Sequence, residues 1–261
     1  MNKTEQTVLV TGASSGIGKA IATEYALRGY HLVVVARRSE RLEALKIELE
    51  SRYGIRVYCI ACDLRNEYAP EIIEKALLDA GIEIEILFNN AGMGTAGIVA
   101  DDSWEKLSGI IDLNVKATTH MCWRFLRTMA ARGNGTIVNI ASTLSFAPAA
   151  GQCVYAASKA YVLSLSQGLY EETRGTGVKV LTICPGLTAT GFFDAAGFSQ
   201  DQFKAASPEA LARFIYKKVS QGKALSIHGL FNRCAALFAR IFPRGLVRRV
   251  FSIVSRPTLK Q

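Results

Sequence analysis

Seven short aliphatic runs recur along the chain, at residues 8–10, 32–35, 57–61, 84–88, 136–140, 178–183 and 224–227. Longer segments with apolar residues at helical spacing separate them. Parallel strands need a long crossover between them, and that crossover is usually a helix packed on a sheet face. Alternation of this kind predicts a parallel sheet of about seven strands covered on both faces, an α/β architecture. The chain has 261 residues, enough for a sizeable core, and no Pro/Gly/Ser-rich linker, repeat or low-complexity tract divides it.

The first run leads into Thr11-Gly12-Ala13-Ser14-Ser15-Gly16-Ile17-Gly18, followed by a helical pattern at Ile21, Ala22, Tyr25 and Ala26. Strand, glycine-rich turn and helix is the context a dinucleotide phosphate site requires. Glycines allow close approach of backbone to pyrophosphate, and a helix N-terminus offers unpaired N–H groups. The spacing is G-x-x-x-G-x-G, which departs from the generic G-x-G-x-x-G. A flexible surface loop is the alternative, disfavoured by the flanking strand and helix.

Tyr155 and Lys159 stand four residues apart, on one face of a helix one turn from each other. A free phenol titrates near pH 10. A fixed ammonium beside it favours the phenolate and predicts a lowered pKa, suited to proton exchange near neutrality. Taken alone the pair is common by chance.

Together these features resemble the short-chain dehydrogenase/reductase family in its single-domain form. The match runs over about residues 5–229. Gly12, Ser14, Ser15, Gly16, Ile17 and Gly18 correspond to the family's cofactor turn, and Asn89-Asn90-Ala91-Gly92 to its second signature. Asn114, Ser142, Tyr155 and Lys159 correspond in order to its catalytic tetrad. Pro185-Gly186, with Thr188 and Thr190, corresponds to the stretch bordering the nicotinamide. The resemblance implies a Rossmann-type, doubly wound sheet and hydride transfer between a nicotinamide and an alcohol or carbonyl. It implies that Ser142 and Tyr155 hydrogen-bond the carbonyl oxygen and that Tyr155 exchanges the proton. Lys159 would lower the tyrosine pKa and bind the ribose, and Asn114 would position a water. Asp63 and Leu64 would meet the adenine, with Asn89, Ala91 and Gly92 shaping the turn against the cofactor.

The second strand ends Ala36-Arg37-Arg38. NAD-preferring relatives carry an aspartate at the position of Ala36, which repels a 2′-phosphate. Arginine supplies the matching cationic fork. NADP(H) is therefore the expected cofactor, with Arg37 preferred over Arg38 for the main contact. Both arginines could instead simply open a charged, solvated helix.

Cys59 and Cys62 form a C-x-x-C, but they sit in a strand-like run where an odd separation points side chains to opposite faces. No second pair or nearby histidine completes a metal set, and none is expected. Cys153 stands two residues before Tyr155, near the substrate side. The first strand starts too close to Met1 to leave room for a cleavable leader. No apolar stretch approaches the roughly 20 residues needed to span a bilayer. The expected setting is cytoplasmic, with reduced thiols.

Substrate choice falls on residues 142–153, with Leu144, Phe146, Ala147 and Pro148, and on 187–207, with Phe192, Phe193, Phe198 and Phe203. No basic residue precedes Lys204 in either segment, so an apolar carbonyl or alcohol is expected.

After Glu209 there is no acidic residue and there are eleven basic ones, so the net charge of +9 belongs to the C-terminus. Two amphipathic helices separated by Pro243 are predicted. The first gathers Leu230, Cys234, Leu237, Phe238 and Ile241, and the second Leu246, Val247, Val250, Phe251, Ile253 and Val254. The organisation expected is a catalytic domain at 1–229 and a tail at 230–261. The stripes should be covered by the domain itself or a second copy of the chain, ahead of a membrane's inner face. Nucleic acid is excluded as partner, because no aromatics interleave with the basic residues. An NADP(H)-dependent oxidoreductase is the reading these features favour. A catalytically idle nucleotide sensor or membrane-docked scaffold with the same fold is the alternative.

Overall fold

The computed structural model describes residues 6–190 and 205–255, with side chains to residue 252. Its strands are β1 Thr7–Thr11, β2 His31–Ala36, β3 Val57–Ala61, β4 Ile86–Asn89, β5 Gly135–Ile140, β6 Val178–Cys184 and β7 Leu225–Ile227. They pair in parallel in the order β3-β2-β1-β4-β5-β6-β7, so the sheet winds outward in both directions from β1. All seven predicted runs are strands. At β4 the first two residues of the run fall outside, where the Glu85 carboxylate accepts the Thr7 amide at 2.6 Å.

Helices α1 Gly16–Ala26, α2 Ser39–Tyr53 and α7 Pro208–Ser220 lie along one face. Their apolar sides meet Val8, Val10, Leu32 and Val34. Helices α3 Ala69–Asp79 and α5 Thr118–Arg132 cover the other face, over Leu9, Val33, Leu87, Ile137 and Val180. Those five strand residues are wholly buried, each contributing about 1.5–3 kcal/mol. This double burial explains why the strands read as continuous apolar runs. Cys59 packs in the first core and Cys62 in the second, on opposite sheet faces.

Helix α4 Trp104–Ile111 continues into α5 through a π-helical turn at Asp112–Ala117. A 3₁₀ turn at Thr143–Phe146 follows β5 and leads to the long helix α6 Cys153–Glu172. Beyond β7 come α8 Leu230–Ile241 and α9 Arg244–Ser255, with Phe242-Pro243 between them. The two tail helices and their break agree with the sequence. The crevice for a ligand opens at the carboxyl ends of β1 and β4, where the winding reverses.

Candidate active site

At the end of β1, Thr11 Oγ1 donates to the Phe88 carbonyl at 3.0 Å and accepts the amides of Asn90 and Ala91 at 2.9 and 3.0 Å. Asn90 Nδ2 returns a bond to the Thr11 carbonyl at 2.9 Å. Thus the two predicted cofactor turns are sewn to each other. Gly18 has no room for a side chain, because a Cβ would stand 2.2 Å from the Gly12 carbonyl oxygen. Ser15 precedes α1 without a side-chain cap, and the first turn carries no acid. The helix N-terminus therefore presents amides and a positive dipole end to an anion. A glycine-lined turn of this shape, with cationic flanks, fits the pyrophosphate of a dinucleotide. Thr190 lies over Gly16, its methyl 3.0 Å from where a Cβ would be.

Arg38, not Arg37, is the arginine fastened to this turn. Its Nη2 donates to Ser14 Oγ at 3.0 Å. Both guanidinium groups are exposed, and Arg37 contributes to holding the Asp63 carboxyl below its usual range, after the larger effect of Arg65. Arg65 grips Asp63 through several bonds, the shortest 2.7 Å. No motif announces that this carboxylate is already paired. The pair is more than a third exposed, so it can open at little cost. Asp63, Arg65 and Trp104 border an open cavity of about 380 Å³.

Asn89 does not face the crevice. Its Nδ2 donates to Asn139 Oδ1 at 2.8 Å, and Asn139 in turn donates to Ser166 Oγ at 2.8 Å. Asn89 is the last residue of β4 and its side chain is held among the strands, whereas Ala91 and Gly92 lie in the turn beyond it, with Gly92 against Lys159 and Asn114. A Cβ on Gly92 would lie 3.3 Å from both Lys159 Nζ and Asn114 Oδ1.

The four predicted tetrad residues converge from three elements. Asn114 occupies the π-helical turn and is wholly buried. Its Nδ2 donates to the Met93 carbonyl and to Ser158 Oγ, both at 2.9 Å, and its Oδ1 accepts the Met93 amide at 3.0 Å. The Asn114 side chain thus pins the loop after β4, which leaves its backbone carbonyl as the group that would position a water. Turns of π type inside α-helices recur at functional sites. Ser158, missed in the sequence although it adjoins Lys159, completes this link by donating to the Tyr155 carbonyl at 2.7 Å.

Ser142 opens the 3₁₀ turn and accepts the Leu144 amide at 3.2 Å. Its hydroxyl adjoins that of Tyr155 and favours the ionised form of the phenol. Lys159 Nζ lies 5.9 Å from the Tyr155 ring centre and donates to the Ile140 carbonyl at 2.8 Å. The expected depression of the phenol is not found. Burial outweighs the effect of Ser142 and pushes Tyr155 up to about 12, while burial brings Lys159 down to about 8. Both shifts have one cause, the exclusion of water from charge.

The thiol beside the tetrad is Cys184, not Cys153. Cys184 is wholly buried against Ala141 and Val162, and its field reaches both Tyr155 and Lys159. Burial pushes it up to about 12, so it is a neutral thiol at ordinary pH. Cys153 is exposed.

Thr143 donates its amide to the Pro185 carbonyl at 3.0 Å, tying the serine turn to the stretch after β6. Thr188 is buried, its Oγ1 donating to the Gly186 carbonyl at 3.1 Å. Two tail residues reach this region unannounced by any motif. Asn232 packs so closely that a Cβ on Gly186 would come 2.2 Å from its Nδ2, and Arg240 lies 5.3 Å over the Phe146 ring. Leu144 and Phe146 are half-buried, Ala147 buried and Pro148 exposed. The expectations for Phe192, Phe193, Phe198 and Phe203 fall outside the described residues.

Residues 6–200 match the short chain dehydrogenase family. An NADP-dependent 3-hydroxy acid dehydrogenase of Escherichia coli K12 is 38% identical over 202 residues, 76% of this chain and 79% of the relative. Among solved structures, a short-chain dehydrogenase from Sphingobium yanoikuyae in complex with NADPH is 34% identical with a TM-score of 0.83, covering 92% of this chain and 94% of that one. The bulky-bulky ketone specific alcohol dehydrogenase from Comamonas testosteroni is 31% identical with a TM-score of 0.79, covering 92% and 93%. With the glycine turn, the converging tetrad and these matches over most of its length, the chain belongs to the short-chain dehydrogenase family.

Proposed function

We propose that the protein is an NADP(H)-dependent oxidoreductase interconverting an alcohol and a carbonyl on a bulky, apolar substrate, with Tyr155 as general acid and base. The observation that carries this reading is the convergence of Ser142, Tyr155 and Lys159, with Lys159 Nζ 5.9 Å from the Tyr155 ring and Gly92 of the second cofactor turn beside it. The turn Gly12–Gly18 and the first amides of α1 would hold the pyrophosphate, with Arg38 and Arg37 at the 2′-phosphate. Lys159 would reach the nicotinamide ribose, with Thr188 and Thr190 near the carboxamide. Bound there, NADP(H) supplies or accepts a hydride.

A phenol pushed up to about 12 is fully protonated near neutral pH, which is the form carbonyl reduction requires. Two hydroxyl donors, Ser142 and Tyr155, would stabilise negative charge growing on the carbonyl oxygen. Tyr155 then gives up its proton, and Lys159, the nearest cation, stabilises the phenolate left behind. In the oxidative direction the phenolate removes the alcohol proton. The NADPH complex and the ketone-specific enzyme among the similar structures support the cofactor and the substrate class. Half-buried Leu144 and Phe146 at the mouth also suit an apolar group.

One observation favours a second substrate class. Arg240 over Phe146 brings a cation to the substrate side, which suits a hydroxy acid such as that of the Escherichia coli relative. NADPH consumption across matched ketones and 3-oxo acids decides the matter. Bulky ketones should be turned over, and the second reading requires preference for the acids that Arg240→Ala abolishes. No turnover with any carbonyl would leave the idle nucleotide sensor as the better account.

A further inference from the structure

The tail helix α8 is mounted with its apolar stripe outward. Against the catalytic domain it places a small face, with Ala236 buried and Asn232 against Gly186. Leu230, Phe231, Leu237 and Ile241 point away and are 76%, 82%, 58% and 67% exposed. Phe242, Leu246 and Val250 extend this surface through the break into α9. Among the described residues the stripe is thus covered only in part, with Val247 of α9 buried and Phe238 of α8 half-buried. Alanine gives the closest approach to the body, and the large side chains are left for another medium. An exposed apolar surface of this size marks an interaction site.

What surrounds the stripe identifies the medium. Arg233, Arg244, Arg248 and Arg249 are exposed beside it, and no acidic residue follows Glu209. Beside α8, Lys218, Lys223 and Arg233 converge on a cavity of about 270 Å³ at the outer edge of β7. Ser226 lines this cavity, and its buried Oγ has no hydrogen-bond partner among the described residues. The Lys218 ammonium is held below its usual pKa by desolvation and then by repulsion from Lys223, Arg233 and Lys217. Three cations and an unpaired hydroxyl around one cavity form a receptor for a phosphate-like anion.

A second copy of the chain is a poor occupant. A two-fold contact through this face would set the arginine-rich surface against itself. An anionic bilayer supplies both missing complements, acyl chains for the stripe and phosphate for the cavity. Among the described residues no helix is long and apolar enough to cross a membrane. Two helices of 12 residues each with a basic flank suit an interfacial position, lying flat.

We propose that α8, α9 and the Lys218–Lys223–Arg233 cavity form a docking surface for anionic lipid, with a headgroup phosphate in the cavity. Since α8 also touches Gly186 and Phe146 on its inner side, docking would set the substrate mouth beside the bilayer.

The test is co-sedimentation of the full chain with vesicles of phosphatidylcholine alone and of phosphatidylcholine mixed with phosphatidylserine. Binding should occur only to the mixed vesicles and fall steeply with salt, as exposed charges become screened within about 3 Å at 1 M. Leu237→Glu/Ile241→Glu should abolish it. Lys218→Glu/Lys223→Glu should weaken it by more than about tenfold, each cation near the surface being worth about fivefold. Circular dichroism and thermal unfolding, which do not depend on catalysis, should show both variants folded. Absence of binding at low salt would overturn the proposal, as would equal binding to neutral vesicles or indifference to both variants. So would a wild-type dimer that ignores vesicles and becomes monomeric in Leu237→Glu/Ile241→Glu, which would make this face a contact between copies.

Discussion

At Lys159 and Tyr155 burial acts against the charged form of each, and the two consequences for pH run in opposite directions. An ammonium brought down to about 8 from 10.5 is harder to keep charged in the folded chain than in the unfolded one. Its cost is fully present below pH 8 and is relieved as pH rises from about 8 to 10.5, where the unfolded state binds the extra proton. Lys159→Met should therefore stabilise the protein near neutrality by about 2 kcal/mol while losing turnover. The gain should shrink toward zero across that window, as urea unfolding at a series of pH values would record. Tyr155, pushed up to about 12, loses its contribution only above about pH 10 and should leave the lower part of this window, from about 8 to 9.5, unaltered. In catalysis the same phenol is ready as an acid and scarce as a base. Alcohol oxidation should accelerate by up to about tenfold per pH unit above neutrality, with carbonyl reduction nearly level. Level profiles in both directions would remove Tyr155 from proton transfer.

The arginines are legible in the sequence as a pair and not individually. Sequence places Arg37 and Arg38 at the right strand end, but which guanidinium swings over the turn depends on the backbone leaving β2. Because Arg38 is bonded to Ser14, Arg38→Ala should weaken NADPH binding by about tenfold or more and NADH binding little. Arg37→Ala should have the smaller effect. Fluorescence titration of both cofactors checks this, and equal losses for NADPH and NADH would reject the 2′-phosphate contact.

Among the elements, the π-helical turn gives a residue located by its motif a structural task that the motif does not announce. Asn114 is identifiable by its place in the order of the tetrad, but its side chain is consumed by Met93 and Ser158. Nothing in a run of helical periodicity announces an i→i+5 turn. Asn114→Ala should cost about 2–4 kcal/mol in denaturant unfolding, since it removes partners from the half-buried Met93 backbone and the buried Ser158 hydroxyl. The strands are legible because double burial writes itself as aliphatic runs. Asn89 ends the strand while its neighbours form the turn, so its side chain serves the sheet and only its backbone is left for the turn.

Contact between α8 and the stretch after β6 is invisible in the sequence, being a meeting of Gly186 and Asn232 with no motif joining them. It yields a sharp test. Gly186→Ala should displace Asn232, break its 2.7 Å bond to the His228 carbonyl and destabilise the protein by about 1–2 kcal/mol. Adding Asn232→Ala should recover most of that loss. Purely additive costs would mean that the two residues do not touch.

At the scale of the molecule, the sheet order and the glycine turn set the site at the winding reversal, and the alternation of runs and helices predicts as much. The orientation of the tail is not predictable, because an amphipathic pattern says that a helix has two faces and not which one meets the body. Ala235, Ala236 and Ala239 carry no signal of their own between larger residues, yet they are the more sheltered side of α8. Charge segregation, by contrast, is fully visible in the sequence.

Proton exchange by Tyr155 in a preformed cofactor crevice is the central claim of the proposed function. Its most direct test compares wild type and Tyr155→Phe, with the best carbonyl found, for single-turnover NADPH oxidation and for NADPH affinity in one preparation. Removing only the hydroxyl should lower the rate by about 10²–10⁴-fold and leave affinity within about threefold. A variant that keeps more than about a tenth of the rate would contradict the account, as would one whose cofactor affinity falls in step with its turnover.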